Sequence, residues 1–201
     1  CLSTDLLSGE LPRKTFHWPL EFPEVFCKKN SGFDAILGNP PFLGGKRITG
    51  TLGKSYREYL VNRIANGKRG HADLCTYFLL RADKLLNKSG TFGMITTDTI
   101  AQGDTREVGL DFLVSSCHLF KANPSQKWPG TASVMISLIW GTHKNWEGDH
   151  FIGSIKTDGI TAFLTTPEDI PGKPYVLSEN SGSSFIGSQV HGKGFLLDEA
   201  E

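Results

Sequence analysis

The pentapeptide Gly38-Asn39-Pro40-Pro41-Phe42 combines groups that could hold a flat amine. The Asn39 side chain offers an oxygen acceptor, and Pro40 and Pro41 have a fixed φ and no N–H, so their carbonyls point in set directions. Two acceptors, from Asn39 and Pro40, match the two hydrogens of an exocyclic amine. Phe42 adds an apolar face for a planar base. These residues predict a site that holds an aromatic amine against a neighbouring electrophile.

The elements around this motif predict where it lies. The apolar segment 33–39 (FDAILGN) is typical of a mostly buried strand, and Asn39 ends it. In a parallel sheet, ligands bind beyond the carboxyl ends of the strands. A helix is predicted from Asp73, its cap, to Gly90, which would stop it. Its apolar face is formed by Leu74, Cys75, Phe78, Leu79, Ala82, Leu85 and Leu86.

The remaining pattern predicts an α/β fold. Further strands are expected over 91–97, 117–122 and 132–140, and Asp104 or Thr105 could cap a helix over 106–116. Strands that alternate with helices indicate a mainly parallel sheet, and the last two strands, joined by a polar turn, predict an antiparallel hairpin. Segments 151–157 and 160–166 could add short strands.

Charge is unevenly distributed along a chain whose net charge is zero. Residues 43–70 carry seven Lys and Arg side chains against one carboxylate, Glu58. Glycine-rich at its start, this segment is predicted to be a mobile loop followed by a stretch with some helical spacing. The basic block indicates an anionic partner nearby, and the alternative is an ordinary solvated loop. Lys46 and Arg47, close behind Phe42, could contact DNA phosphates or simply aid solubility.

Other features narrow the class of protein. No apolar run is long enough to span a membrane, and the first residues do not form a signal peptide. Four separated cysteines without a CxxC pair or a histidine cluster predict no metal site. We expect buried thiols and a cytoplasmic location. Asp98, after the second strand, is expected to cap a helix or hold a loop.

The sequence F-D-x-I-x-G-N-P-P-F resembles the catalytic motif of S-adenosylmethionine-dependent amino-methyltransferases, above all the N6-adenine DNA methyltransferases. Its flanks, FHWPLEFPEVF before it and KWPGTASVMISLIW towards the hairpin, are similar to those of fused restriction–modification and phage-defence methylases. The resemblance implies a partial Rossmann-like class I methyltransferase sheet. Residues 1–145 would be the C-terminal part of the catalytic domain. Residues 146–201 would be a linker and the start of a target-recognition or accessory region.

The same resemblance implies roles for single residues. Asn39 and Pro40 would accept hydrogen bonds from the adenine amine, with Pro41 completing the motif, and Phe42 would stack on a base flipped out of double-stranded DNA. Asn39 is also the candidate contact to S-adenosylmethionine. Nothing before Phe33 resembles the family's glycine-rich cofactor loop, so the main cofactor site and the N-terminal part of the methyltransferase are expected outside this sequence. The chain alone is expected to be inactive.

Several alternatives stay open from sequence. The same fold could methylate cytosine N4, an RNA adenine or a protein glutamine. Pro41-Phe42 favours adenine, because the glutamine enzymes usually carry Tyr at the second position, and the basic block favours nucleic acid. A different class is a non-catalytic DNA-binding or assembly subunit, since the chain does not complete a cofactor site by itself.

Overall fold

The computed structural model of the protein describes residues 16–169, which contain a six-stranded sheet. Four strands, β1, β2, β3 and β5, run in one direction, and β4 and β6 run against them. The order across the sheet is β1-β2-β4-β3-β5-β6. The bounds are β1 Phe33–Gly38, β2 Leu86–Thr97, β3 His118–Lys127, β4 Met135–Thr142, β5 His150–Ile152 and β6 Ile155–Thr157. The predicted α/β class, mainly parallel strands and the β3–β4 hairpin are confirmed.

Helices connect these strands and cover one side of the sheet. The α-helices are α1 Trp18–Glu21, α2 Pro23–Phe26, α3 Gly45–Leu52, α4 Lys54–Tyr59, α5 Leu74–Leu85, α6 Gly103–Val108 and α7 Leu110–Leu113. A π-helical turn, Leu60–Ile64, continues α4, and 3₁₀ turns occupy Asp98–Ala101 and Pro167–Asp169. The segment with α1 and α2 packs on the start of β1, where the rings of Trp18 and Phe22 each lie 5.5 Å from that of Phe33.

Helix α5 is the centre of the packing. The Asp73 carboxylate caps it by accepting a hydrogen bond from the Cys75 amide at 3.0 Å, as predicted. Leu79 and Ala82 face the core beneath the sheet, whereas Tyr77 and Leu80 belong to a second apolar cluster with α3 and the π-helical turn. Because both sides are covered, most side chains of α5 are buried. Phe78, predicted on its apolar face, is nevertheless 43% exposed.

The two faces of the sheet are covered differently. Phe92, Met94 and Ile139 point into the main core. On the other face, a Cβ placed at Gly93 would lie 2.8 Å from Leu37 Cδ2 and 2.9 Å from Trp140 Cδ1, so these two side chains meet over the glycine. Leu37 is 81% exposed. This second face is an apolar surface without a helix over Leu37 in the described residues.

Several sequence expectations about the elements were wrong. Strand β1 is largely exposed rather than mostly buried, because within residues 16–169 it pairs only with β2 and forms an edge. Residues 43–55, predicted to be a mobile loop, contain α3 and the start of α4, since Ile48 among others buries an apolar face, whereas the helical spacing predicted from Ser55 is confirmed by α4 and the π-helical turn. Helix α5 ends at Leu85 and β2 starts at once, so Gly90 lies inside a strand and does not stop the helix.

The predicted helix over 106–116 is instead α6 and α7, and neither Asp104 nor Thr105 caps it. Asp104 accepts a hydrogen bond from the His71 amide at 2.6 Å, and Thr105 Oγ1 accepts one from the Asp73 amide at 3.3 Å. Both side chains therefore hold the segment before α5. Sequence periodicity gives no information about such contacts between distant segments.

The C-terminal segments only partly follow the expectation. Residues 151–157 form the β5–β6 hairpin, which pairs with β3, but 160–166 form turns rather than a strand. Leu164 packs in the main core. The proposed boundary at 145/146 stays a prediction, and residues 170–201 lie outside the described part.

Cys75 and Cys117 are buried as expected, whereas Cys27 is exposed because it follows the surface helix α2. Burial raises the pKa of both buried thiols to about 12.

Candidate functional site

A cleft of about 470 Å³ opens beside β1 and runs along α5. Its walls are mainly apolar and come from three places: the aromatic segment before β1, the strand with its following motif, and one side of α5. The lining residues are Trp18, Phe33, Ala35, Ile36, Leu37, Gly38, Asn39, Pro40, Pro41, Phe78, Arg81, Ala82, Leu85 and Met94. A mostly apolar cleft with few polar groups is typical of a binding site for a small molecule.

The motif residues lie at the carboxyl end of β1. Asn39 and Pro41 are exposed, Pro40 is buried, and all three line the cleft. Phe42 is half-buried and does not belong to the cleft wall. The Asn39 side chain forms no hydrogen bond with another residue in the described part of the chain, so its acceptor is open to a ligand. The structure thus places the first three residues together, and their chemical roles stay a prediction.

The chain leaving the motif is held by α5. The Leu43 amide donates to Asp73 Oδ1 at 3.3 Å, and the Leu74 amide donates to the Leu43 carbonyl at 2.9 Å. Asp73 is only 6% exposed. One buried carboxylate therefore caps α5 and fixes the residue directly after Phe42. The sequence indicated the cap, but it gave no signal for the contact across 30 residues.

At the neighbouring strand end, Asp98 follows β2 and starts a 3₁₀ turn. Its carboxylate accepts hydrogen bonds from Ser125 Oγ at 2.6 Å, Ser137 Oγ at 3.4 Å and Gln102 Nε2 at 3.4 Å. These partners tie the turn to β3 and β4. The expected loop-holding role of Asp98 agrees with these contacts.

The basic residues predicted to meet DNA lie on α3. Lys46 and Arg47 are exposed in its first turn and do not line the cleft. Arg81, which sequence reasoning did not single out, does line it. Arg81 lies three residues after Phe78 and therefore on the same face of the helix, and this spacing could have predicted its place in the cleft wall.

In the described part of the chain, the polar groups of the cleft and the clusters of metal-binding side chains are few. Among these residues, no carboxylate lines the cleft, and Arg81 is its one charged lining residue. No group of three or more His, Cys, Asp or Glu side chains within residues 16–169 could hold a metal ion.

In the same part of the chain, no helix is both long and apolar enough to cross a membrane.

Two comparisons place the chain among known proteins. It is 29% identical over 90 residues to a putative type II restriction enzyme and methyltransferase of Methanocaldococcus jannaschii, a match that covers 45% of this chain and 7% of the relative. Its fold is similar to that of the type IIL restriction-modification enzyme MmeI, solved in complex with DNA, with a TM-score of 0.60 and 21% identity over 80% of this chain and 24% of MmeI. The chain thus spans a small part of either protein.

A family comparison covers more than half of the chain. The profile of the Eco57I restriction-modification methylases matches residues 7–121, a range that includes β1, the Asn39 motif, α5 and β2. The MmeI likeness supports the class I methyltransferase-like fold expected from sequence. The chain therefore belongs to the Eco57I restriction-modification methylase family.

Proposed function

We propose that the protein containing this chain transfers a methyl group from S-adenosylmethionine to the N6 amine of adenine in double-stranded DNA, as part of a restriction–modification system. The observation that carries the proposal is the position of Asn39, Pro40 and Pro41, which line a cleft at the carboxyl end of β1. The family, the restriction enzyme and methyltransferase relative, and the likeness to MmeI support it.

In this proposal the motif binds the amine and orients it. The open Asn39 oxygen and the Pro40 carbonyl accept the two N–H hydrogens, which keeps nitrogen electron density available for attack on an electrophilic methyl group. These hydrogen bonds strengthen as the nitrogen becomes positive, so they act mainly on the transition state. Phe42 stacks on the flipped base after a change of side-chain position towards the cleft.

When bound, S-adenosylmethionine would supply the methyl group from its sulfonium: the S–CH₃ bond breaks as the N–CH₃ bond forms, the sulfur leaves as a neutral thioether, and the amine loses one proton to water. The described cleft walls contain no carboxylate that could accept hydrogen bonds from its ribose hydroxyls, and we propose that the larger part of its site is formed by other residues of the same protein. Asn39 is the residue of this chain proposed to touch it. We further propose that residues 146–201 lead into a target-recognition region, that this chain is inactive alone, and that the protein works in the cytoplasm.

The test is the substitution Asn39→Ala in the full-length protein. With labelled donor and duplex DNA, we expect methyl transfer to be lost while DNA binding stays nearly unchanged, because affinity comes mainly from phosphate contacts. Asn145→Ala, an exposed asparagine after β4, is the matched control and should keep full activity. Mass spectrometry of the digested DNA identifies the modified base.

Three results would change the proposal. Normal methylation by the Asn39→Ala protein would remove the role of the motif. N4-methylcytosine in place of N6-methyladenine would keep the chemistry and change the acceptor. Methylated RNA or protein, or DNA binding without any transfer by the unmodified protein, would favour the other acceptors or a non-catalytic subunit.

A further inference from the structure

A second groove, of about 620 Å³, lies on the helices that follow the motif. Unlike the first cleft, whose one charged lining residue among those described is Arg81, this groove is lined by several charged and polar side chains, most of them basic or neutral. Its walls come from α4, the π-helical turn and α5, and the lining residues are Lys54, Ser55, Glu58, Tyr59, Asn62, Arg63, Ile64 and Arg81. Arg81 also lines the cleft beside Asn39, so the two depressions share a wall residue.

The cations of the basic segment divide into those with internal partners and those without. Arg57 donates to the Tyr77 hydroxyl and the Gly70 carbonyl, which fixes α4 against α5. Arg69 pairs with the Glu58 carboxylate through two hydrogen bonds of 3.0 and 2.7 Å. Neither guanidinium is available to a ligand without breaking these contacts.

The one carboxylate of the groove is therefore already neutralised. The Arg69 guanidinium holds the pKa of Glu58 below its usual range, with a smaller contribution from Lys54. In contrast, Lys54, Arg63 and Arg81 are exposed and form no salt bridge with a carboxylate of the described residues. Three unpaired cations around one neutralised anion leave the groove with a positive potential.

The backbone under these cations is held in place. Lys84 on α5 donates to the Arg63 carbonyl at 3.3 Å and to the Ile64 carbonyl at 2.9 Å. The π-helical turn brings the Ala65 amide to the Leu60 carbonyl at 2.9 Å. Such turns occur frequently at functional sites. The groove is thus a formed surface, with hydroxyl and amide groups of Ser55, Tyr59 and Asn62 between the charges.

We propose that this groove binds the phosphodiester backbone of DNA beside the base that enters the cleft, with Lys54, Arg63 and Arg81 as the phosphate contacts. The proposal rests on the proposed DNA substrate. Lys and Arg with hydroxyl and amide donors are the groups that commonly bind phosphates, and they fix the position of the duplex without reading its sequence. Because Arg81 lines both depressions, a phosphate there lies close to the nucleotide whose base is held by Asn39.

The experiment uses the full-length protein with all three cations replaced, Lys54→Gln, Arg63→Gln and Arg81→Gln. Fluorescence anisotropy measures DNA affinity over a salt series on cognate and random duplexes. Each lost phosphate contact lowers the slope of log K against log salt by about 0.9, so we expect a decrease of about 2 to 3 and equal weakening on all sequences. The charge-conserving triple Lys54→Arg, Arg63→Lys and Arg81→Lys should keep the slope and report any folding defect.

The matched control removes three exposed lysines at the end of the sheet opposite the motif, Lys29→Gln before β1, Lys88→Gln near the start of β2 and Lys144→Gln after β4. It changes the net charge equally and should leave the slope nearly intact. The groove proposal would be overturned if the slope fell equally in the Lys54/Arg63/Arg81 glutamine variant and in this control. It would also be overturned if the slope of the Lys54/Arg63/Arg81 glutamine variant did not fall. Binding to RNA but not to DNA would overturn the choice of partner. If the Lys54/Arg63/Arg81 glutamine variant keeps its slope while the unmodified protein methylates adenine, only the groove is rejected. If the variant's slope falls but the unmodified protein does not methylate DNA, only the proposed reaction is rejected.

Discussion

The substitution Asp73→Ala tests how the motif is held. The Asp73 carboxylate accepts one hydrogen bond from Cys75 at the start of α5 and one from Leu43, the residue after Phe42. Both amides donate to the same oxygen, Oδ1, so alanine removes both hydrogen bonds at once. We therefore expect α5 to fray at its first turn and the segment after the motif to lose its fixed position.

The size of the effect follows from the two contacts. Loss of an N-cap costs about 1 kcal/mol. Leaving the half-buried Leu43 amide without its acceptor costs about another 1 kcal/mol, the low end for such groups, because the hydrogen bond is long at 3.3 Å. The sum is about 2 kcal/mol, which corresponds to about a 30-fold change in a local opening equilibrium. Asp73→Asn keeps an acceptor oxygen and should cost less than about 1 kcal/mol.

Hydrogen exchange with mass spectrometry on the full-length protein measures this opening. Peptides covering residues 43–52 and the first turn of α5 should exchange about 30-fold faster in Asp73→Ala, and peptides from β3 and β4 should not change. If exchange near Leu43 were unaffected while the first turn of α5 opened, Asp73 would be only a helix cap. Equal losses for Asp73→Ala and Asp73→Asn would mean that charge, not the acceptor, matters.

Two further predictions concern the space around Gly45 and the exposure of the cysteines. In Gly45→Ala, the added Cβ would lie 2.2 Å from backbone atoms of His71. We therefore expect the free energy of unfolding to fall by more than about 1 kcal/mol, which a lower melting temperature would show. An unchanged melting temperature would show that α3 can move to make room. Exposed Cys27 should react with iodoacetamide in the folded protein before Cys75 and Cys117, whose thiol pKa values are raised by burial to about 12. Peptide mass spectrometry over time checks the order, and early labelling of Cys117 would contradict it.

Much of the fold could be predicted because local patterns dominate it. The spacing of apolar residues from Leu74 and the capping Asp73 are sufficient to place α5, and the apolar runs around Phe92 and Ile139 place two central strands. The hairpin followed from two such runs joined by a polar turn. In each case the deciding interactions are within the element or between near neighbours in sequence.

The wrong predictions depended on contacts between distant residues. Glycine and charge made residues 43–55 look like a loop, but Ile48 buries apolar surface with Leu60 and Ile64 against α5, and a helix forms there. Arg57 and Arg69 counted as free charges in the sequence, yet each has an internal partner. The division of the basic block into paired and unpaired cations required the structure.

The position of Asn39 at the end of β1 could be predicted from the sequence, whereas the residues that surround the motif could not. Strand β1 sets the position of Asn39, and the link from Leu43 to Asp73 fixes the chain beyond it. Among residues 16–169, β1 has no strand neighbour besides β2, and Leu37 is exposed on the face of the sheet opposite the main core. Parallel sheets normally have both faces covered. We therefore propose that other residues of the protein cover this face; under the proposed function, they would bring the methyl donor to an amine bound by Asn39.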